Sequence, residues 1–172
     1  FVLGEGSGAL VIESYEHAKN RGATILAEVG GGASTADAYH LTAPHPEGRG
    51  AAKVMELALK DARMNPEDID YINVHGTSTP LGDKAEILAI QKIFGQAAYD
   101  LNISSTKSMT GHLLGGAGAI EAIAGIIALT ENFIPPTINH FEDDPEIDAK
   151  LNLTFNEAQE KEIRTFITNT FG

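Results

Sequence analysis

Two histidines stand in matched surroundings. His75 ends the apolar run Ile69–Val74 and opens the turn Gly76-Thr77-Ser78-Thr79-Pro80-Leu81-Gly82-Asp83. His112 follows Ser104-Ser105-Thr106-Lys107-Ser108-Met109-Thr110-Gly111 and precedes a glycine-rich entry to an apolar segment. Each site is a strand, a hydroxyl-rich turn and then a helix, the place where α/β sheets collect ligands. A neutral imidazole donates a hydrogen bond from one nitrogen and accepts at the other. Two imidazoles aimed at one oxygen would form an electrophilic clamp for developing negative charge. The pair lies 112 − 75 = 37 residues apart, so it meets only if its two strands are neighbours. As a zinc site the set is poor, because no third ligand is evident.

A second constellation joins Lys107 to Glu121. Glu121 is the only charge between Gly111 and Thr130. A carboxylate buried there needs a partner, and Lys107 is the nearest cation. The pair is expected to fix the His112 turn. His17, His40, His45 and His140 sit among polar or proline-bearing residues and carry no such pattern. Gly115, Gly116 and Gly118 lack the spacing of a phosphate loop and are expected to let backbones pack closely.

These residues need a scaffold. The 172-residue chain is 42% apolar, enough for one globular domain over 1–172. Helices are expected over Ser14–Arg21, Gly50–Arg63, Pro80–Phe94 and Gly116–Thr130. Val54, Met55, Leu57 and Ala58 would form the apolar face of the second. Leu81, Ala85, Leu88, Ala89 and Ile93 would form that of the third, and the fourth, apolar on nearly every side, would be central. Strands are expected over Gly8–Glu13, Thr24–Gly30, Ile69–Val74, Leu101–Ser104 and Arg164–Thr170. The alternation implies a layered α/β fold with a mostly parallel sheet. The net charge of −12 argues against a nucleic-acid partner. No apolar run is expected to span a membrane. There is no cysteine, hence neither a disulfide framework nor a thiolate metal site. The chain opens without methionine and closes straight after a strand, as a part of a longer protein would.

The stretches His75–Asp83 and Ser105–His112 resemble the β-ketoacyl-acyl carrier protein synthases, condensing enzymes of fatty acid synthesis, and especially their type II elongating members. Asp37-Ala38-Tyr39-His40-Leu41-Thr42-Ala43-Pro44, Pro135-Pro136-Thr137-Ile138-Asn139 and the opening Gly4-Glu5-Gly6-Ser7-Gly8 are similar to that family too. The resemblance covers essentially the whole chain, in order. It implies the C-terminal half of the thiolase-like fold, a layered α/β/α unit of a five-layered whole.

It also implies roles. His75 and His112 would bind the thioester carbonyl of malonyl-carrier protein and promote decarboxylation. The carbanion would attack an acyl group held on a cysteine. Lys107 would order the site, supported by Glu121. Thr77 and Thr79 would hydrogen-bond the pantetheine arm, and Thr42 would border the substrate channel. Phe171 and Gly172 would begin the glycine-rich gating loop. The expected partner is acyl carrier protein, whose phosphopantetheine carries the substrates, with no separate cofactor. A cytoplasmic homodimer is expected. The family's nucleophilic cysteine is absent, so this chain alone is expected to be inactive. The rivals are a polyketide-type ketosynthase domain and a non-catalytic partner subunit of the chain-length-factor kind. The intact histidines and Lys107 favour the enzyme over the latter. A thiolase would place a second cysteine here.

Overall fold

The computed structural model describes residues 1–171. Four parallel strands form its centre, in the order β4 (Asn152–Leu153), β2 (Asn102–Ser104), β1 (Tyr71–Asn73) and β6 (Phe166–Thr168). Parallel strands are buried on both faces, and here alternate residues meet different helices. Ile72, Val74 and Ile103 face α2 (Arg49–Ala62) and α3 (Pro80–Phe94), among Met55, Leu59, Ala89, Ile90 and Phe94. Tyr71 and Phe166 face the other way, toward Ala128 of α5 (Ala117–Glu131) and Ile134. The result is an α/β/α sandwich. A separate antiparallel pair, β3 (Phe133–Ile134) with β5 (Gln159–Glu160), forms a second, two-stranded sheet.

Local sequence accounts for the element ends. Ser14 accepts a hydrogen bond from the His17 N–H and caps α1 (Tyr15–Asn20). Pro80 occupies the first position of α3, where no N–H is needed. Asn65-Pro66 stops the chain after α2 and starts a single 3₁₀ turn.

Four expectations change. Gly8–Glu13 and Thr24–Gly30 form no strand: their backbones pair with no neighbour, and Val11 and Val29 are exposed. The stripe on α3 is rotated. Ala85 and Ala89 are buried as expected, but Leu81 and Leu88 are exposed, while Glu86, Ile90 and Phe94 face inward. The rotation brings Glu86 to the backbone after β1. Helix α5 is not central either. It buries one stripe, Ala117, Glu121, Gly125 and Ala128, and leaves Ile127 exposed. Finally, Leu114–Glu131 is long and apolar enough to cross a membrane by length and composition. In this structure it packs on the sheet through its buried stripe, and its Glu121 is paired with Lys107.

Candidate active site

Strands β1 and β2 are parallel neighbours, with Asn73 in register with Ser104. Their carboxyl ends therefore deliver both turns to one edge of the sheet. The two imidazoles lie 5.3 Å apart between centroids at 84°, edge to face. The row extends to Phe1, 5.4 Å from His112, and to Phe171, 5.3 Å from His75.

Backbone hydrogen bonds set the tautomers. Phe171 N–H donates to His75 Nδ1 at 3.1 Å, and Leu114 N–H donates to His112 Nδ1 at 3.1 Å. A neutral ring that accepts at Nδ1 carries its proton on Nε2. Both histidines thus present an Nε2–H donor. The surroundings of both also favour the neutral form. Burial, then the Lys107 charge, then His112 push His75 down to about 4. Burial and Lys107 lower His112 as well, with Glu121 pulling weakly the other way.

Lys107 opens the one-turn helix α4 (Lys107–Thr110). Its ammonium pairs with Glu121 in the interior, where the two side chains are 4% and 3% exposed. Thr170 Oγ1 also donates to Glu121, at 3.1 Å. The partnership expected from the lone charge in α5 is therefore present. The pair links the start of α4, the face of α5 and the end of β6.

Glu86 was not anticipated. It is buried and accepts from the N–H groups of His75 at 2.9 Å and Gly76 at 3.0 Å, and from the Asn169 amide at 3.1 Å. Burial pushes its carboxyl up to about 7, against the pull of those donors. The signal was available: Glu86 is the one acid between Asp83 and Asp100, amid apolar residues, as Glu121 is in α5.

The hydroxyl turn is shaped by Ser78, whose φ of +60° is uncommon for a residue with a side chain. Its N–H donates to Asp83 at 3.2 Å. The kink leaves Thr77 and Thr79 with their hydroxyls 3.2 Å apart. Both line a cleft of about 1340 Å³ that reaches Lys107, Ser108 and His112. Thr42 is not brought there. It is exposed, and its N–H donates to His40 Nδ1 within its own loop. Phe171 supplies a backbone donor to His75, and Gly172 lies outside the described residues. His140 stacks on Phe155 at 3.6 Å beside Asp143. Among the described residues, no group of three His, Asp or Glu side chains could hold a metal ion.

Two Nε2–H donors on neighbouring imidazoles in a partly buried setting suit the stabilisation of an oxyanion. The chain itself offers no thiol nucleophile beside them.

Comparison with known proteins identifies relatives of the chain. The family described as β-ketoacyl synthase, C-terminal domain, matches residues 26–141. A 3-oxoacyl-[acyl-carrier-protein] synthase 2 of Staphylococcus aureus is 52% identical over the whole chain, which spans 42% of that relative's length. Among solved structures, the ishigamide ketosynthase/chain length factor superposes with a TM-score of 0.89 at 44% identity, covering 97% of this chain and 40% of that one. A type II polyketide acyl-carrier protein complex with its ketosynthase gives 0.86 at 41% identity, covering 91% and 38%.

Proposed function

Because the chain belongs to the β-ketoacyl synthase family through its C-terminal domain, we propose that it supplies the decarboxylation half-site of a fatty-acid-elongating 3-oxoacyl-[acyl-carrier-protein] synthase. The single observation that carries the reading is the pair of Nδ1-anchored histidines set edge to face, 5.3 Å apart between ring centroids.

The malonyl thioester oxygen accepts from Nε2–H of His75 and of His112. The bond between the α-carbon and the carboxylate breaks, carbon dioxide leaves, and the electron pair passes into an enolate whose charge rests on that oxygen. Two donors fixed beforehand stabilise this charge without reorganisation. The enolate carbon then attacks the acyl thioester carried by a cysteine outside this sequence, and the thiolate leaves. Lys107 does not need to touch the substrate. Together with burial, the larger effect, its charge disfavours imidazolium at both rings, which leaves their Nδ1 atoms free to accept the backbone N–H groups.

Thr77 and Thr79 offer paired hydroxyls to the pantetheine amides along the cleft. The substrates ride on acyl carrier protein, and no separate cofactor enters the chemistry. The solved relative that carries an acyl-carrier protein supports that partner. A cytoplasmic homodimer completes the reading. The polyketide alternative uses the same chemistry, and solved relatives of that kind stand at 41–44% identity. The curated elongating synthases, at 51–52% over the whole chain, favour the fatty acid reading. A chain-length-factor role is disfavoured by the intact histidine pair and its Lys107–Glu121 support.

The test is His112→Ala in the natural gene product. Malonyl decarboxylation should fall by at least a hundredfold, while acyl transfer from acyl carrier protein to the cysteine stays measurable. Decarboxylation at the normal rate would remove His112 from this role.

A further inference from the structure

His112 is a poorly anchored position for a group that must be held still. Helix α4 ends at Thr110, Gly111 turns with φ +71°, and the next α-helix begins only at Ala117. The backbone of His112 is held instead from the other end of the sequence. His112 N–H donates to the Val2 carbonyl at 2.8 Å, and Gly4 N–H donates to the His112 carbonyl at 3.0 Å. Leu3 and His112 thus form an isolated parallel bridge, one residue long. Both polar groups of the His112 peptide unit are taken up by this one segment.

The fit depends on a missing side chain. A Cβ on Gly4 would stand 2.3 Å from the Thr110 carbonyl oxygen, a backbone atom that cannot swing aside. From the other side, a Cβ on Gly111 would stand 3.0 Å from Gly4 N. Two residues along, a Cβ on Gly6 would meet only the tip of the Leu113 side chain, at 2.6 Å. That contact can be relieved by a rotamer change, whereas the one at Gly4 cannot.

We propose that Val2–Gly4 is a positioning strap for His112, and that Gly4 is the residue whose lack of a side chain seats it. The proposal rests on the reading of His112 as an oxyanion donor in decarboxylation. It adds a positioning residue far in sequence from the reacting groups. An alanine at position 4 must push the strap away from Thr110 and stretch both bonds to the His112 backbone. The Leu114 N–H bond to Nδ1 can then hold the tautomer but no longer the ring's position. A displacement of about 1 Å in a catalytic group costs on the order of 100-fold in rate.

The experiment compares Gly4→Ala, Gly6→Ala and Gly32→Ala in the natural gene product. Gly32 has open space around it and serves as the control. Two readouts are taken: the kinetics of malonyl-carrier-protein decarboxylation, and hydrogen–deuterium exchange of the peptide containing His112. The expected result for Gly4→Ala is a kcat reduced between 10- and 100-fold at a KM within twofold, with His112 exchange at least tenfold faster. Gly6→Ala, whose one contact a rotamer of Leu113 relieves, and Gly32→Ala should both stay near the parent in both readouts. Unchanged His112 exchange in Gly4→Ala, or decarboxylation within twofold of the parent, overturns the strap. If Gly4→Ala does not fold, the parent decides: a His112 N–H, bonded to the Val2 carbonyl at 2.8 Å, that exchanges as fast as an unstructured amide overturns the proposal. A parent protein that does not decarboxylate at all refutes the functional reading, while the exchange comparison still judges the strap.

Discussion

Truncating Glu121 to alanine should leave the Lys107 ammonium in the interior without its counter-charge. The two side chains are 4% and 3% exposed, so water cannot replace the lost carboxylate. Breaking a buried ion pair from one side costs about 3–5 kcal/mol, whereas an exposed pair is worth about 1 kcal/mol or less. Thr170 also loses the acceptor it reaches at 3.1 Å, which adds about 1 kcal/mol. The total, about 4–6 kcal/mol, is a large fraction of a domain's stability. At about 2–4 °C per kcal/mol for a chain of this size, Tm should fall by at least about 8 °C. Urea unfolding of Glu121→Ala, Lys107→Met and the double variant Lys107→Met/Glu121→Leu measures this directly. The double variant removes both charges and fills the space, so it should be more stable than Glu121→Ala alone by about 2 kcal/mol or more. The reasoning fails if Glu121→Ala loses less than about 1 kcal/mol, or if the double variant shows the two single losses simply added.

Three further outcomes follow from the same geometry. Lys107→Met removes a charge that disfavours imidazolium, so the pKa values of His75 and His112 should rise; NMR titration of the imidazoles checks the direction, and the acid limb of decarboxylation should move to higher pH. Glu86, raised to about 7 from an ordinary 4.5, binds its proton more tightly in the folded state. Its contribution is therefore full below about pH 4.5 and is lost as pH rises through about 7, by about 3 kcal/mol; urea midpoints at pH 5 and pH 8 should show this loss in the parent and not in Glu86→Gln. Gly125→Ala should destabilise by about 1–3 kcal/mol through overpacking, because its Cβ would stand 2.1 Å from the Phe166 ring; thermal unfolding measures it.

Much of the site was legible before the fold was known. The matched turns announced the two histidines, and the solitary charge in an apolar helix announced the Lys107–Glu121 pair. Glu86 carries the same signal as Glu121, but the rotation of α3 that buries it and exposes Leu81 and Leu88 is set by packing on the sheet. Thr42 was assigned to the channel by resemblance alone, and its loop keeps it outside the cleft. The expected strands Gly8–Glu13 and Thr24–Gly30 have suitable composition, but a strand needs a neighbour as well as a pattern. Conversely, β3, β4 and β5 have only two residues each, too few for any periodicity to register.

Local chemistry settled what could be settled locally: the proline entry to α3, the Ser14 cap, the hydroxyl turns, and the identity of the groups able to do proton and charge chemistry. These depend on residues within a few positions of one another. Only the tertiary structure decided which nitrogen of His75 is the donor, because the N–H that occupies its Nδ1 comes from Phe171, at the end of the neighbouring strand β6, whereas the Nδ1 of His112 is held locally by Leu114. It likewise decided that Val2 and Gly4 hold the backbone of His112, a contact between the two sequence-distant sides of the site. Such contacts arise from the order of strands and the packing of layers, where each residue's partner is chosen by the whole chain and not by its neighbours.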